Sequence, residues 1–159
     1  MAHEFPPAHL RDPGDAWVYG PNGQKFWGKF GAAGLLVWNR DLGVLLQHRA
    51  EWSHHGGTWG LPGGARKLGE SALDGALREA AEEASVPPEL LRVIDTVILD
   101  LGFWSYTTVV VEAAEQFQPV IADAESVALE WVTPALVDEL PLHPAFATAW
   151  PQLRTLLRF

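Results

Sequence analysis

The pattern of apolar and polar residues predicts a chain that forms a sheet. Two short, partly β-branched apolar runs, "AAGLLVWN" (32–39) and "GVLLQHR" (43–49), flank the tripeptide "RDL", as in a two-stranded hairpin. Three later segments, 91–102, 103–114 and 127–133, also have the composition of strands, and the second alternates and is rich in Thr and Val.

Two segments have the spacing of helices. The first spans roughly 71–84 and cannot continue past the Pro-Pro pair at 87–88. The second, 143–159, contains Pro151, which predicts a kink or break. Strands with a few flanking helices predict a layered domain of the α/β or α+β class with a mixed sheet.

Two stretches lack a regular period. Residues 1–30 are rich in Pro, Gly and aromatic residues, and we expect an irregular N-terminal extension packed on a domain of residues 31–159. The extension should pack through Trp17, Tyr19, Phe26 and Trp27. The long, glycine-rich loop at 50–70 is unusual enough to indicate function.

The first helix carries three glutamates close together, in "GALREAAEEA" (75–84). On a helical wheel Glu79, Glu82 and Glu83 share one arc beside the predicted core face. That core face comprises Leu73, Leu77, Ala80 and Ala84, with Ala76 and Ala81 at its margins. Like charges at this spacing repel, and a hard divalent cation such as Mg²⁺ or Mn²⁺ would reverse the sign of that interaction.

A solvated helix face is the alternative interpretation of the same residues. Arg78 supports it, because it can pair with Glu82 at i,i+4. The neighbouring loop favours a site instead: a carbonyl at Gly63–Gly64 is free of side-chain crowding and can be a further metal ligand. The N–H groups at the start of the helix favour a phosphate anion.

Composition narrows the classes of function. With 159 residues, 48% of them hydrophobic and 19% charged, the chain suits one globular domain. The net charge of −9 disfavours non-specific nucleic-acid binding, and the absence of cysteine excludes disulfides and thiolate chemistry. No signal peptide or membrane span is visible, so we expect a cytoplasmic protein that does not bind membranes.

The stretch "GARKLGESALDGALREAAEEASV" (64–86) resembles the Nudix box, the signature of the Nudix hydrolase superfamily. "WGLPG" before it and "LEWV" after it also resemble family features, so the resemblance covers residues 30–159. Ser85 stands where the family usually has Gly. The polar and glycine positions of the box are occupied by Gly64, Glu70, Arg78, Glu79, Glu82 and Glu83.

The resemblance implies a Nudix-type α/β/α sandwich with a central mixed β-sheet. It also implies metal-dependent cleavage of a pyrophosphate linkage in a nucleotide. The implied metal ligands are Glu79, Glu82, Glu83 and the Gly63 carbonyl, with Mg²⁺ or Mn²⁺ as cofactor. Glu79 is also a candidate for positioning or deprotonating the attacking water. Arg78 would orient the acids, Glu70 would brace the junction of loop and helix, and Gly64 would border the substrate.

Further candidates lie outside the box. Glu125 precedes the strand at 127–133, where related enzymes often supply an extra acid, and Glu112, Glu115, Asp123 and Glu130 compete for that role. Arg49 matches a position that faces phosphate or substrate in relatives, and a salt bridge at the strand end is its alternative. His48, His54 and His55 are candidates for metal or substrate binding, and Trp27, Trp52 and Trp104 for stacking on a base. We expect Trp59 to pack beneath the glycine loop.

Several functions remain open on this resemblance. The substrate can be a nucleoside triphosphate, damaged or not, or an ADP-sugar-like diphosphate, and the alternative is a silent domain that binds or senses a nucleotide. The isomerase branch of the fold depends on a catalytic cysteine, which this chain lacks. The acidic charge disfavours RNA decapping. Relatives often dimerise, so a homodimer is one expected assembly.

Overall fold

The structure is a computed structural model, and it describes residues 12–124 and 126–157. The strands are β1 (Trp17–Tyr19), β2 (Lys25–Trp27), β3 (Ala32–Asn39), β4 (Gly43–Arg49), β5 (Trp59–Gly60), β6 (Gly63–Ala65), β7 (Leu91–Asp100), β8 (Ser105–Ala113) and β9 (Ser126–Val132). The α-helices are α1 (Ala72–Ala84) and α2 (Pro144–Arg154), and short 3₁₀ helices span Pro88–Leu90 and Pro134–Glu139.

The main sheet is mixed. Its order is β5-β4-β3-β8-β7, with β6 also paired to β3 and β9 to β4. The central pair, β3 and β8, is parallel, whereas β3 pairs with β4 and β7 with β8 in antiparallel fashion. The hairpin predicted at 32–49 is therefore confirmed.

The two helices cover opposite faces of this sheet, because successive side chains on a strand point to opposite sides. Leu35 packs in the cluster that contains Ala76 and Ala80 of α1. Its neighbour Leu36 packs in the other cluster, with Trp150 of α2. The α/β/α sandwich with a central mixed sheet is confirmed. None of the described helices has the length and apolar character that a membrane crossing requires.

Several local expectations were wrong. The part of the N-terminal extension that the structure describes contains a regular hairpin, β1–β2, and Tyr19 on it is 66% exposed rather than packed. The loop at 50–70 contains β5, which pairs with β4, and β6, which pairs with β3. At Gly63 the absence of a side chain lets the backbone lie close against β3.

The helices also differ in detail from the prediction. Leu73 is 38% exposed, because α1 contacts the sheet through its small residues Ala76, Ala80 and Ala84. Helix α2 runs through Pro151 without a break, and the buried residues on either side, Trp150 and Leu153, hold it against the sheet. Tertiary packing here outweighs the hydrogen bond that proline cannot donate.

Candidate active site

Both ends of helix α1 are capped, and this fixes where its acids lie. The Ser71 hydroxyl caps the first turn by accepting a hydrogen bond from the Asp74 N–H at 3.1 Å. At the other end Ser85 adopts a left-handed conformation, and its N–H donates to the Ala80 and Ala81 carbonyls. The glutamates therefore lie in the last two turns of the helix, directly beside β6.

Glu83 is the buried acid of the three, with 4% of its surface exposed. Its Oε2 accepts hydrogen bonds from the Gly63 N–H at 3.1 Å and from the Gln47 Nε2 at 3.3 Å. Burial raises its pKa well above the ordinary value, and the negative charge of Glu79 raises it further. Among the described residues no basic side chain forms an ion pair with Glu83.

Glu79 lies against the glycine backbone. A Cβ atom at Gly64 would sit 2.8 Å from the Glu79 carboxyl carbon, so any larger residue at Gly64 would displace the acid. Burial raises the pKa of Glu79 as well. The two carboxyl groups, Glu79 and Glu83, thus share one poorly solvated space beside β6.

Arg78 connects the helix to the glycine loop. Its guanidinium donates to both Glu70 carboxylate oxygens, at 2.8 and 2.9 Å, and to the Ala65 carbonyl at 3.1 Å. It also donates to Glu79 at 2.9 Å and to Glu82 at 3.3 Å. The hydrogen bond from Arg78 lowers the pKa of Glu70 to about 2.

The donor set near Glu83 fits a hard divalent cation. Two carboxylates adjoin there, and the Gln47 Oε1 is buried without a hydrogen-bond partner in the described part of the chain. Glu82 is 56% exposed at its side chain and turned toward Arg78. Within residues 12–124 and 126–157, no three histidine or acidic side chains lie close enough together to hold a metal ion. Glu125 lies outside the described residues.

A cavity of about 670 Å³ opens from these acids. Glu79, Glu83, Gly63 and Gly64 form its acidic end. Its remaining wall is rich in aromatic side chains: Trp17, Phe26, Trp27, Trp52, Trp104 and Tyr106. All three of the tryptophans proposed for stacking therefore border the cavity, although Trp104 is largely buried. A pocket with an acidic end and an aromatic wall suits a ligand that has a planar group and phosphates.

Arg49 lies at the cavity wall with imidazole groups around it. Its Nε donates to the His54 carbonyl at 3.0 Å, and within the described ranges no acid forms an ion pair with it. Burial lowers the pKa of His54 and of His55, and both side chains line the cavity. His48 is not a cavity residue: its ring stacks on Trp59 at 4.4 Å, and its Nε2 lies 3.1 Å from the Gly57 carbonyl.

Two cavity residues were not predicted from the sequence. His143 contacts His55 (ring centroids 4.6 Å apart), and its Nδ1 accepts a hydrogen bond from the Ala145 N–H. Burial lowers the pKa of His143 to about 4, so it is a neutral imidazole with its proton on Nε2. The Tyr106 hydroxyl occupies space that a Cβ at Gly34 would fill, and burial raises its pKa. The pattern "HPAF", typical of a helix start, could have indicated His143 as a helix cap, whereas the sequence holds no comparable signal for Tyr106.

Two of the other acids proposed for Glu125's role differ in how they relate to the site. Glu112 pairs with Arg92 at 2.6 Å on the outer strands of the sheet. Asp123 contributes a negative charge that raises the pKa of Glu83.

The chain is similar to known proteins over nearly its whole length. The chain matches the NUDIX domain family over residues 28–155. It is 47% identical over 163 residues to "Putative 8-oxo-dGTP diphosphatase 3" of Mycobacterium tuberculosis, which covers 94% of this chain and 75% of that protein. It is 41% identical to a "Nucleoside triphosphate pyrophosphatase/Nudix hydrolase fusion protein" of Bifidobacterium longum, covering 96% of this chain and 33% of that longer one.

Solved structures show the same fold. The Nudix hydrolase RenU of M. smegmatis superposes with a TM-score of 0.81 at 47% identity, covering 90% of this chain and 94% of RenU. The NUDIX domain of Shewanella oneidensis NrtR, complexed with ADP ribose, has a TM-score of 0.62 at 26% identity, covering 88% and 94%. The resemblance in the box, the fold and these relatives agree: the chain belongs to the Nudix hydrolase family, enzymes that hydrolyse pyrophosphate linkages in nucleotide derivatives.

Proposed function

We propose that this protein is a Mg²⁺- or Mn²⁺-dependent pyrophosphohydrolase whose substrate is a nucleoside triphosphate. The observation that carries the proposal is the pair of poorly solvated carboxyl groups, Glu79 and Glu83, at one end of an aromatic cavity. Bringing two acids together in a poorly solvated space is costly unless a cation or a proton compensates them. The name of the M. tuberculosis relative points to 8-oxo-dGTP as the first compound to test.

The proposed metal ligands are Glu79, Glu82 and Glu83 with the Gly63 carbonyl, and Glu125 is a further candidate. A divalent cation bound there would neutralise the diphosphate, polarise a phosphoryl oxygen and lower the pKa of the attacking water. Arg78 keeps Glu79 oriented through its 2.9 Å ion pair.

Further residues are proposed to act on the attacking water and on the substrate's phosphates. Glu79 is the proposed group that positions or deprotonates water, and Arg49 is the proposed phosphate contact, with Gly64 leaving room for the substrate. The protonated Nε2 of His143 adds a neutral donor at the same wall. A cytoplasmic location, the absence of nucleic-acid binding and a homodimer stay predictions of the sequence.

A substrate panel tests the proposal. Purified protein is incubated with dGTP, 8-oxo-dGTP, dCTP and ADP-ribose in Mg²⁺, Mn²⁺ or EDTA, and the products are separated by anion exchange. We expect nucleoside monophosphate and pyrophosphate from a triphosphate, and no product in EDTA. Turnover of ADP-ribose alone would move the assignment to nucleoside-diphosphate sugars.

Glu83→Gln supplies the matching variant, since it keeps the shape of the side chain and removes its charge. We expect kcat to fall by at least about 100-fold, because metal binding depends on that charge. Glu89→Gln, an exposed position in the 3₁₀ helix that follows α1, should be unaffected. Wild-type turnover in Glu83→Gln would refute the metal site. Tight nucleotide binding by the wild type with no turnover in any metal would favour the alternative, a domain that only binds nucleotides.

A further inference from the structure

The hairpin β1–β2 lies ahead of the segment that matches the family, yet it forms part of the cavity wall. The family match begins at residue 28, whereas Trp17, Phe26 and Trp27 all line the cavity. This part of the wall therefore lies outside the segment that matches the family model. Its chemistry is aromatic, unlike that of the acidic end.

The hairpin is firmly docked. The Phe26 ring stacks on Trp104 at 4.4 Å, and the Trp104 Nε1 donates to the Trp27 carbonyl at 3.2 Å. On the other side the Leu68 N–H donates to Asp12 Oδ1 at 3.0 Å, so the segment before β1 is tied to the glycine loop. The hairpin thus presents its side chains to the cavity from a fixed position, as a binding wall requires.

Trp17 is the central ring of this wall. It meets Trp27 edge to face at 5.0 Å and His54 at 5.7 Å, and the Lys25 ammonium lies 4.1 Å from its ring centroid. Both indoles remain half-buried although they border the cavity, in contrast to Trp104, which is buried. Partly uncovered indoles in a concave site are the usual surface on which planar groups stack.

We propose that the hairpin β1–β2 is the base-recognition element of this enzyme, with Trp17 and Trp27 stacking against the nucleobase while the phosphates lie at Glu79 and Glu83. This inference rests on the proposed function, because it assigns one end of the same substrate. It predicts that aromatic character at Trp17, rather than apolar volume alone, sets the affinity for the nucleotide.

The test compares Trp17→Leu with Trp17→Phe, since both keep an apolar side chain and only one keeps a ring. For dGTP and 8-oxo-dGTP we expect Trp17→Leu to raise KM by about 10- to 100-fold with kcat within about threefold of wild type. Trp17→Phe should stay within about threefold of the wild-type KM. Tyr19→Ala is the control on the same hairpin, because Tyr19 is exposed and does not line the cavity; it should match wild type.

The outcomes separate this inference from the proposed function. Wild-type turnover reports on the function, and the ratio of KM between the Leu and Phe variants reports on the hairpin. If the wild type binds nucleotide without turnover, the same ratio is measured as Kd by calorimetry with Mg²⁺. Equal KM or Kd values for the two variants, or an equal effect of Tyr19→Ala, would overturn the inference. If Trp17→Leu does not fold, Trp27→Leu and Trp27→Phe give the same comparison. A wild type that binds neither probe overturns both proposals.

Discussion

Ser85 illustrates how one residue departs from its family without changing the site. It ends α1 with φ 55° and ψ 36°, the left-handed conformation for which glycine is usual. The cap is still formed, because the Ser85 N–H donates to the Ala81 carbonyl at 3.1 Å and the Val86 N–H donates to the Ala80 carbonyl at 3.3 Å. The acids therefore keep their place, and the departure costs only backbone strain.

We predict that Ser85→Gly stabilises the protein by about 0.5–1 kcal/mol, the strain relieved less the extra chain entropy that glycine loses on folding. Ser71→Gly is the matched control. Ser71 has ordinary extended backbone and a side-chain cap to Asp74, so the same substitution should cost a few tenths of a kcal/mol. Urea unfolding monitored by circular dichroism measures both, and a loss of stability in Ser85→Gly would contradict the strain argument.

At the scale of elements, the junction of the glycine loop with α1 depends on Glu70 and Arg78. Glu70 also accepts from the Lys67 N–H at 3.0 Å, and its own carbonyl accepts from Arg66. One acid thus joins the loop before the helix to the arginine that orients Glu79. This arrangement explains why the box has Glu70 eight residues before Arg78: that spacing lets the loop fold back onto the second turn of the helix.

The lowered pKa of Glu70 gives this junction a pH dependence. Because its native pKa is about 2 and its ordinary value is 4.5, its stabilisation is complete above about pH 4.5 and is lost as the pH falls toward 2. We predict that Glu70→Gln lowers the free energy of unfolding by roughly 1–2 kcal/mol at pH 7. The difference from wild type should shrink between pH 4.5 and 2.

Urea titrations at several pH values, with exposed Glu139→Gln as the control, check this dependence. Turnover should fall less in Glu70→Gln than in Glu83→Gln, since Glu70 braces the loop and is not a proposed ligand. Equal losses of turnover in the two variants would show that this division of roles is wrong.

At the scale of the whole molecule, Glu83 is where three parts of the fold meet. Its carboxylate contacts Gln47 of β4 and Gly63 of β6 from its own position on α1, and Gln47 in turn donates to Ser126 of β9 at 2.6 Å. The sandwich buries this acid between a helix and the sheet. Burying an ionisable group at this position lowers the stability of the fold, which is common at functional sites.

The raised native pKa of Glu83 makes stability depend on pH in the opposite direction from the lowered pKa of Glu70. The native state holds the Glu83 proton more tightly than the unfolded state, so stability falls as the pH rises above the ordinary value of 4.5. In EDTA at pH 8 we therefore predict that Glu83→Gln is more stable than wild type, on the order of 1–3 kcal/mol. The gain should vanish below about pH 4.5.

Excess Mg²⁺ should reverse this order, because a cation that binds only the native state stabilises it by mass action. Thermal unfolding with and without Mg²⁺ measures the effect, and Glu89→Gln serves again as the neutral control. An equal response of wild type and Glu83→Gln to Mg²⁺ would count against the metal site.

Much of this fold was predictable from local patterns. The hairpin β3–β4, the helix over 72–84 and the later strands were each predicted within a few residues, because alternation and helical spacing are local properties. The box placed Glu70, Arg78 and the three glutamates at one junction for the same reason. The bounds of α2 and the exposure of Leu73 were missed, since both depend on how closely a helix can lie on the sheet.

The family was identifiable from the sequence through the resemblance of residues 64–86 to the Nudix box, and the family implied the sandwich. Helical spacing was enough to place the acids on one helix, because it is a local property of the chain. Long-range packing set the remaining features: the burial of Glu83, its contacts with Gln47 and Gly63, and the parts of the cavity wall formed by His143, Tyr106 and the hairpin β1–β2. Those contacts join residues far apart in the chain, so they depend on how the sheet, the helices and the hairpin pack together.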